Sequence, residues 1–191
     1  MRIGIAGKIG SGKSTVSRWF VEKKNYYRID MDAVGHMVLE KNADVHRQLQ
    51  EKLPEIFIDK QLLSRREIGK IVFRDKTKLQ VLNSILHPAM KRNIFHIMEE
   101  HAEKDIVIDG ALLYEMGIDQ RCDYTILVKT PFTVAQSRSS RAPEDFENIW
   151  KNQKFLDRGE MQAHFIVENS GSTADLYNEL EKLYKKLRSK S

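Results

Sequence analysis

Residues 7–14 of this 191-residue chain read Gly7-Lys8-Ile9-Gly10-Ser11-Gly12-Lys13-Ser14, the spacing Gly-x-x-x-x-Gly-Lys-Ser, directly after the apolar run Ile3-Gly4-Ile5-Ala6. Glycines at 7, 10 and 12 let the backbone curl until successive N–H groups point inward, where a side chain would block a polyphosphate. Lys13 adds a point charge between the outer phosphates. Ser14 and Thr15 open the next helix, whose N-terminus adds positive potential while the Ser14 hydroxyl can bind magnesium. The spacing predicts that this segment holds a nucleoside triphosphate. A glycine-rich turn between a strand and a helix, with lysine there for solubility, is the plainer alternative, but a chance match to this spacing directly after an apolar strand is rare.

Three further groups bear on what could be done with that triphosphate. Asp30 and Asp32 stand at the end of a short strand-like run and before the helical stretch from Ala33 to Leu39. In an open parallel sheet the ligand crevice lies beyond the strand carboxyl ends, so a carboxylate there can take the proton of an attacking hydroxyl or hold magnesium through water. Helix capping, worth about 1 kcal/mol, is the alternative. Asp109 ends another apolar run and can hold magnesium through water, or turn the chain as an Asp-Gly pair with Gly110. Arg138 and Arg141, followed by Lys151, Lys154 and Arg158, lie on a segment that can close over a transferred phosphoryl group and neutralise its charge. An exposed charged helix face is the simpler account of the lysines.

The elements that must position these groups follow from hydrophobic patterning. Strand-like runs recur at Arg2 to Ala6, Tyr26 to Ile29, Asp105 to Asp109, Tyr124 to Val128 and Phe165 to Val167, with helical patterns between them. Ile106-Val107-Ile108 and Ile126-Leu127-Val128 are continuous apolar runs, as central strands covered on both faces require. Between the second and third runs lies an insert, about Asp44 to Glu103, whose apolar residues recur with helical rather than alternating spacing. Ser64 and Glu67 form a capping box that starts a helix running to about Phe73, and His87-Pro88 predicts a break in the next helix. The stripe Leu176, Leu180, Leu183 and Leu187 reads as core packing.

Hydrophobic content of 41% and charged content of 31% predict a soluble globular protein, and no apolar run reaches membrane-spanning length. The apparent absence of a leader before the first strand, and Cys122 as the sole cysteine, predict a cytoplasmic home. Net charge is +5, with much of the excess in the tail from Lys182 to Lys190, where a helix end favours cations. No recognition motif accompanies that charge, so no nucleic-acid partner is expected.

At this point the sequence resembles the dephospho-coenzyme A kinase family over nearly its whole length. Ile9 to Thr15 match the family's loop, and Asp30-Met31-Asp32-Ala33-Val34-Gly35-His36 matches its Asp-x-Asp segment. Arg66 with Ile71-Val72-Phe73 is similar to its arginine followed by Val-Phe, and Leu82 to Pro88 to its Leu-x-x-x-x-His-Pro. Asp109-Gly110-Ala111-Leu112-Leu113-Tyr114-Glu115 is similar to its Asp-x-Pro-Leu-Leu-x-Glu, and Gln153 and Asn169-Ser170-Gly171 fall on its late Gln and Asn-x-Gly. The resemblance implies a three-layer α/β P-loop kinase fold with a parallel five-stranded sheet and helices on both faces. It implies a core of about 1–43, 104–136 and 159–191, a helical acceptor-binding insert of about 44–103, and a short lid of about 137–158.

It further implies ATP and magnesium, with Asp32 as the base that takes the proton of the ribose 3′-hydroxyl of dephospho-CoA. Gly7 to Thr15 and Asn169 would meet ATP, with Asn169 near the adenine. Asp30, His36, Arg66, His87, Asp109, Leu112 and Glu115 would lie on the acceptor side. The chain departs from the family at Ala6, Lys8, Ala111 and His164, which stand where threonine, glycine, proline and aspartate are usual. The span from Arg141 to Gln153 is a few residues short and Ser137 replaces an arginine, which leaves open whether Arg138 or Arg141 serves the lid. The same loop and base would also suit a kinase of another small alcohol or nucleoside monophosphate. Asp32-Ala33-Val34-Gly35 fits the Asp-x-x-Gly turn of a GTP-dependent switch, but the chain has no Asn-Lys-x-Asp for guanine.

Overall fold

Runs such as Ile106-Val107-Ile108 can be buried on both sides only within a covered sheet, and the computed structural model has one; it describes residues 1–59, 61–153, 156 and 162–189. Along the chain the elements are β1 (Arg2–Gly7), α1 (Lys13–Lys24), β2 (Tyr27–Asp30), α2 (Met31–Lys41), α3 (Ala43–Lys52), β3 (Phe57–Ile58), β4 (Gln61–Leu62) and α4 (Arg65–Val72). They continue with α5 (Lys76–Glu100), β5 (Ile106–Asp109), β6 (Tyr124–Lys129), α6 (Phe132–Ser137), α7 (Pro143–Asn152), β7 (Phe165–Glu168) and α8 (Thr173–Arg188). The chain divides into two units, one formed by Met1–Asp30 with Glu100–Ser191 and the other by Met31–Glu99.

The first unit carries the parallel five-stranded sheet, ordered β2-β5-β1-β6-β7 and flanked by helices. Each of the five expected strands is present. The two runs expected to be central, β5 and β6, lie on either side of β1, and Ile106, Val107, Ile108 and Ile126 are fully buried. Because all five strands run the same way, their carboxyl ends share one edge, where Asp30 is in register with Asp109 and Gly7 with Val128.

Ile3, Ile5, Val107, Ile126, Val128 and Val167 pack with Val16, Trp19 and Phe20 of α1 and with Leu176, Leu180, Leu183 and Leu187 of α8. The C-terminal leucine stripe is thus core, and each such side chain removed from water contributes about 1.5–3 kcal/mol. A capping box of Ser172 and Asp175 starts α8, while Lys185, Lys186 and Arg188 sit in its last turn, where cations complement the helix dipole. These three basic residues of the tail are therefore accounted for by a helix end, while Lys190 lies outside the described residues. No described helix is long and apolar enough to cross a membrane. Burial, reinforced by Asp119 and Asp123, pushes the Cys122 thiol up to about 12, which suits a structural cysteine.

The second unit is mainly helical and corrects two expectations. The stretch expected to hold only helices also contains a two-stranded antiparallel hairpin, with Phe57 opposite Leu62 and Ile58 opposite Gln61. Two residues per strand are too few to show alternation in sequence. Pro88 does not break its helix, since α5 runs without interruption from Lys76 to Glu100. The buried stripe Leu82, Ile85, Ala89, Met90, Ile94 and Met98 continues through the proline, so burial on both sides outweighs the lost donor. The Ser64–Glu67 capping box forms as expected, with Phe73 as the C-cap of α4.

The first unit is tied together at Asp105, which receives the Met1 ammonium at 2.6 Å and the Arg188 guanidinium. Burial opposes the charge on Asp105, but those two cations outweigh it and hold its carboxyl below the usual range. A lowered native pKa stabilises above the unfolded value, and the gain is lost as pH falls through the native value. Asp105→Asn should therefore cost on the order of 0.5–1 kcal/mol at pH 7 and flatten the loss of stability below about pH 4, measured by urea unfolding at both pH values. An acid limb as steep as that of the parent chain would count against this pairing.

Candidate active site at the phosphate loop

The loop between β1 and α1 adopts a conformation only glycine can supply at two points. Gly10 and Gly12 take φ of 73° and 89°, and a Cβ at Gly10 would stand 2.5 Å from the Ala135 carbonyl oxygen. At Gly12 it would stand 2.1 Å from Asn169 Nδ2. The Ser11 N–H donates to the Lys8 carbonyl at 3.1 Å, while the Gly12 carbonyl accepts from Thr15 at 2.9 Å and Val16 at 3.1 Å. Helix α1 then starts without a capping side chain and without an acid in its first turn. An N-terminus left in that state has unneutralised donors and a positive potential, which is an anion site.

Residues just past the neighbouring strand ends brace this loop from outside. The buried Ser11 carbonyl accepts from Thr130 Oγ1 at 3.0 Å and Asn169 Nδ2 at 2.8 Å. Thr130 follows β6 and Asn169 follows β7, so the parallel sheet itself brings them to β1. Arg138 donates to the Asn169 carbonyl at 2.8 Å and to the Gly171 carbonyl at 3.1 Å, which fixes the turn carrying Asn169. From α7, Gln153 Oε1 accepts the Ile9 N–H at 2.7 Å, and the Lys8 ammonium lies 4.9 Å over the Trp150 ring. The Asn169 side-chain amide is thus spent on the loop, and Arg138 on backbone carbonyls.

At the same edge of the sheet, Asp30 and Asp109 stand side by side on β2 and β5. Two adjacent carboxylates repel, and Arg28 answers both: its Nη2 lies 3.0 Å from Asp30 Oδ2 and 2.7 Å from Asp109 Oδ2. Side chains two apart on a strand share a face, which is how Arg28 reaches Asp30. Asp109 is 3% exposed, and its Oδ2 also accepts from the Ser17 hydroxyl at 2.8 Å. That hydroxyl lies 3.2 Å from the Ser14 carbonyl, tying Asp109 to the first turns of α1. Among the described residues, the buried Asp109 Oδ1 has no hydrogen-bond partner. That carboxylate oxygen, with Asp109 linked through Ser17 to the turn of α1 that carries the exposed Ser14 hydroxyl, gives hard-oxygen donors that fit magnesium bound partly through water.

The remaining candidates are placed as follows. Leu112 and Glu115 lie on the turns after β5, half-buried and exposed respectively, and Arg141 is exposed just before α7. In the second unit, Asp32 is exposed on the first turn of α2, and His36 pairs with Glu40 one turn on at 3.0 Å. Arg66 is exposed on α4 and His87 half-buried on α5. Lys154 and Arg158 lie outside the described residues. Among the described residues no group of three or more His, Cys, Asp or Glu could hold a metal by itself. Patterning missed Ser17, Arg28, Thr130 and Trp150. Only Arg28 left a trace, an arginine at i−2 from a strand-end aspartate.

The dephospho-CoA kinase family model matches residues 1–175. The dephospho-CoA kinase of Aquifex aeolicus is 31% identical over 191 residues, covering 97% of each chain. Among solved structures, TT1252 from Thermus thermophilus has a TM-score of 0.81 and 28% identity, covering 98% of this chain and 97% of its own. A shikimate kinase from Bacteroides thetaiotaomicron shares the fold, with a TM-score of 0.57 at 17% identity and 98% of both chains covered. The match begins at residue 1, takes in the phosphate loop and the strand-end acids, and continues past Asn169: the chain belongs to the dephospho-CoA kinase family.

Proposed function

We propose that this chain transfers the γ-phosphoryl group of ATP to the ribose 3′-hydroxyl of dephospho-CoA, giving coenzyme A and ADP. The observation that carries the ATP half is the glycine loop leading into an uncapped, acid-free start of α1. Family membership carries the acceptor half. The loop from Gly7 to Thr15 binds the triphosphate through backbone donors other than those of Ile9, Ser11 and Thr15, which hold the loop's shape, and Lys13 offsets the charge of its outer phosphates. Ser14, with Asp109 through water, would hold magnesium, which when bound neutralises charge developing on the transferred group. Ser17 and Arg28 orient Asp109 for that task.

Asp32, two residues beyond the β2 terminus, is the general base for the ribose hydroxyl. Arg141 is the arginine that answers the charge of the transferring group, because Arg138 is already engaged with the carbonyls of Asn169 and Gly171. Arg66 and His87 on the helical insert, with Asp30, His36, Leu112 and Glu115, serve the acceptor. One cysteine with a raised pKa suits the cytoplasm, where thiols stay reduced.

The test is ATP consumption with dephospho-CoA against a panel of nucleosides, nucleotides and small alcohols. Turnover with another acceptor and none with dephospho-CoA would end the acceptor assignment. Asp32→Asn should lower kcat by about 10²–10⁴ and leave ATP affinity within about twofold, since a base acts on the chemical step. An equal loss of binding and turnover would instead make Asp32 a helix cap. Lys13→Ala should weaken ATP binding by about tenfold or more by calorimetry, as expected for losing a charged contact. Unaltered affinity would remove Lys13 from the phosphate site.

A further inference from the structure

Two consecutive loop residues, Lys8 and Ile9, are held by one turn of α7. Gln153 is the C-cap of that helix, and its own N–H donates to the Ile149 and Trp150 carbonyls, so its side chain extends from a fixed base. Its Oε1 accepts the Ile9 N–H at 2.7 Å. That N–H belongs to the same peptide plane as the Lys8 carbonyl, which accepts the Ser11 N–H at 3.1 Å. One side-chain oxygen on α7 therefore sets the tilt of the Lys8–Ile9 peptide and, through it, the turn that closes on Ser11. Thr130 and Asn169 pin the Ser11–Gly12 peptide by its carbonyl. With a peptide fixed at each end, the segment between them is left few ways to turn its amides.

Trp150, on the same turn, lies under the Lys8 ammonium at 4.9 Å. It is not a loose surface ring. It stacks on Phe146 at 5.9 Å and meets Phe132 of α6 edge-on at 5.4 Å, and Phe146 is fully buried. A continuous path of packed groups thus runs from the core through α7 to the loop.

We propose that the last turn of α7 is a latch on the phosphate loop, with Gln153 and Trp150 as positioning residues that preset the loop for a triphosphate. The proposal rests on the nucleotide chemistry assigned above and adds that loop geometry and the docking of α7 form one equilibrium. By linkage, a triphosphate that needs the preset loop also holds α7 in place. Displacing α7 releases the Lys8–Ile9 peptide and lowers nucleotide affinity, which couples opening of the 138–153 segment to loss of the nucleotide.

The test uses the full chain with Gln153→Met, which keeps length and volume but has no acceptor oxygen. Three quantities are read: amide hydrogen exchange at Ile9 without ligand, ATP affinity by calorimetry, and KM and kcat. The expected result is faster exchange at Ile9, ATP affinity weakened about five- to tenfold with KM for ATP raised in step, a smaller change in kcat, and an unaltered KM for the acceptor. Gln153→Glu restores an acceptor and should return Ile9 to slow exchange. Faster exchange with unaltered ATP affinity would overturn the latch, as would equal losses for ATP and acceptor. Should Gln153→Met fail to fold, Trp150→Leu reads the same coupling through Lys8. ATP affinity should then fall about two- to fivefold, and no change would equally overturn it. Calorimetry with ATP alone needs no acceptor, so a wrong acceptor shows as bound ATP without turnover in the parent chain, whereas a failed latch shows as undiminished affinity in the variants.

Discussion

An uncapped helix start is the constraint on which the first unit depends. A side chain at the residue before a helix can satisfy one of its first N–H groups, a gain of about 1 kcal/mol that α1 forgoes at Gly12. Glycine at that position also gives up the rigidity a side chain would lend. What remains is a set of donors and a positive potential that an anion satisfies well. Apart from Gln153, which takes the Ile9 N–H, the bracing acts on carbonyls: Thr130 and Asn169 hold the Ser11 oxygen, and Arg138 holds the turn that delivers Asn169. With its acceptors engaged outward, the loop can keep amides directed at a ligand.

The parallel sheet is what makes that bracing possible. Loops after β1, β6 and β7 leave at one edge because the strands run the same way, so residues separated by more than a hundred positions become neighbours. The same geometry forces Asp30 and Asp109 together on β2 and β5. Their repulsion is relieved by the Arg28 guanidinium and, at Asp109, by a serine hydroxyl from α1. A buried carboxylate with one oxygen engaged and the other without a partner among the described residues is costly in a resting protein. Such a group is readily understood where a hydrated cation completes its coordination.

Some of this was legible before any coordinates. The five strands were readable because continuous apolar runs between turn residues have few other uses, and the phosphate loop because its glycine and lysine spacing states a local backbone requirement. The capping box at Ser64 and the leucine stripe of α8 were equally local. The β3–β4 hairpin was not, since two-residue strands leave no periodicity, and Pro88 misled because a local donor loss was outweighed by burial along the whole of α5. The departures at Lys8 and His164 were visible as substitutions, but not what they touch: Lys8 meets the Trp150 ring, and His164 receives the Thr125 N–H at 3.1 Å.

The amino-acid sequence by itself determined the phosphate-binding loop, the alternation that makes a parallel sheet, and the identity of the acids at its strand ends, because each is written in neighbouring residues through backbone freedom and hydrophobic period. Only the tertiary structure decided that Arg28 and Ser17 orient Asp109, that Asn169 and Arg138 are spent on bracing, and that Gln153 holds Ile9. Those contacts join residues from 31 to 158 positions apart, wherever such pairs are not on one element, and no local pattern records which strand ends will meet until the sheet order is set.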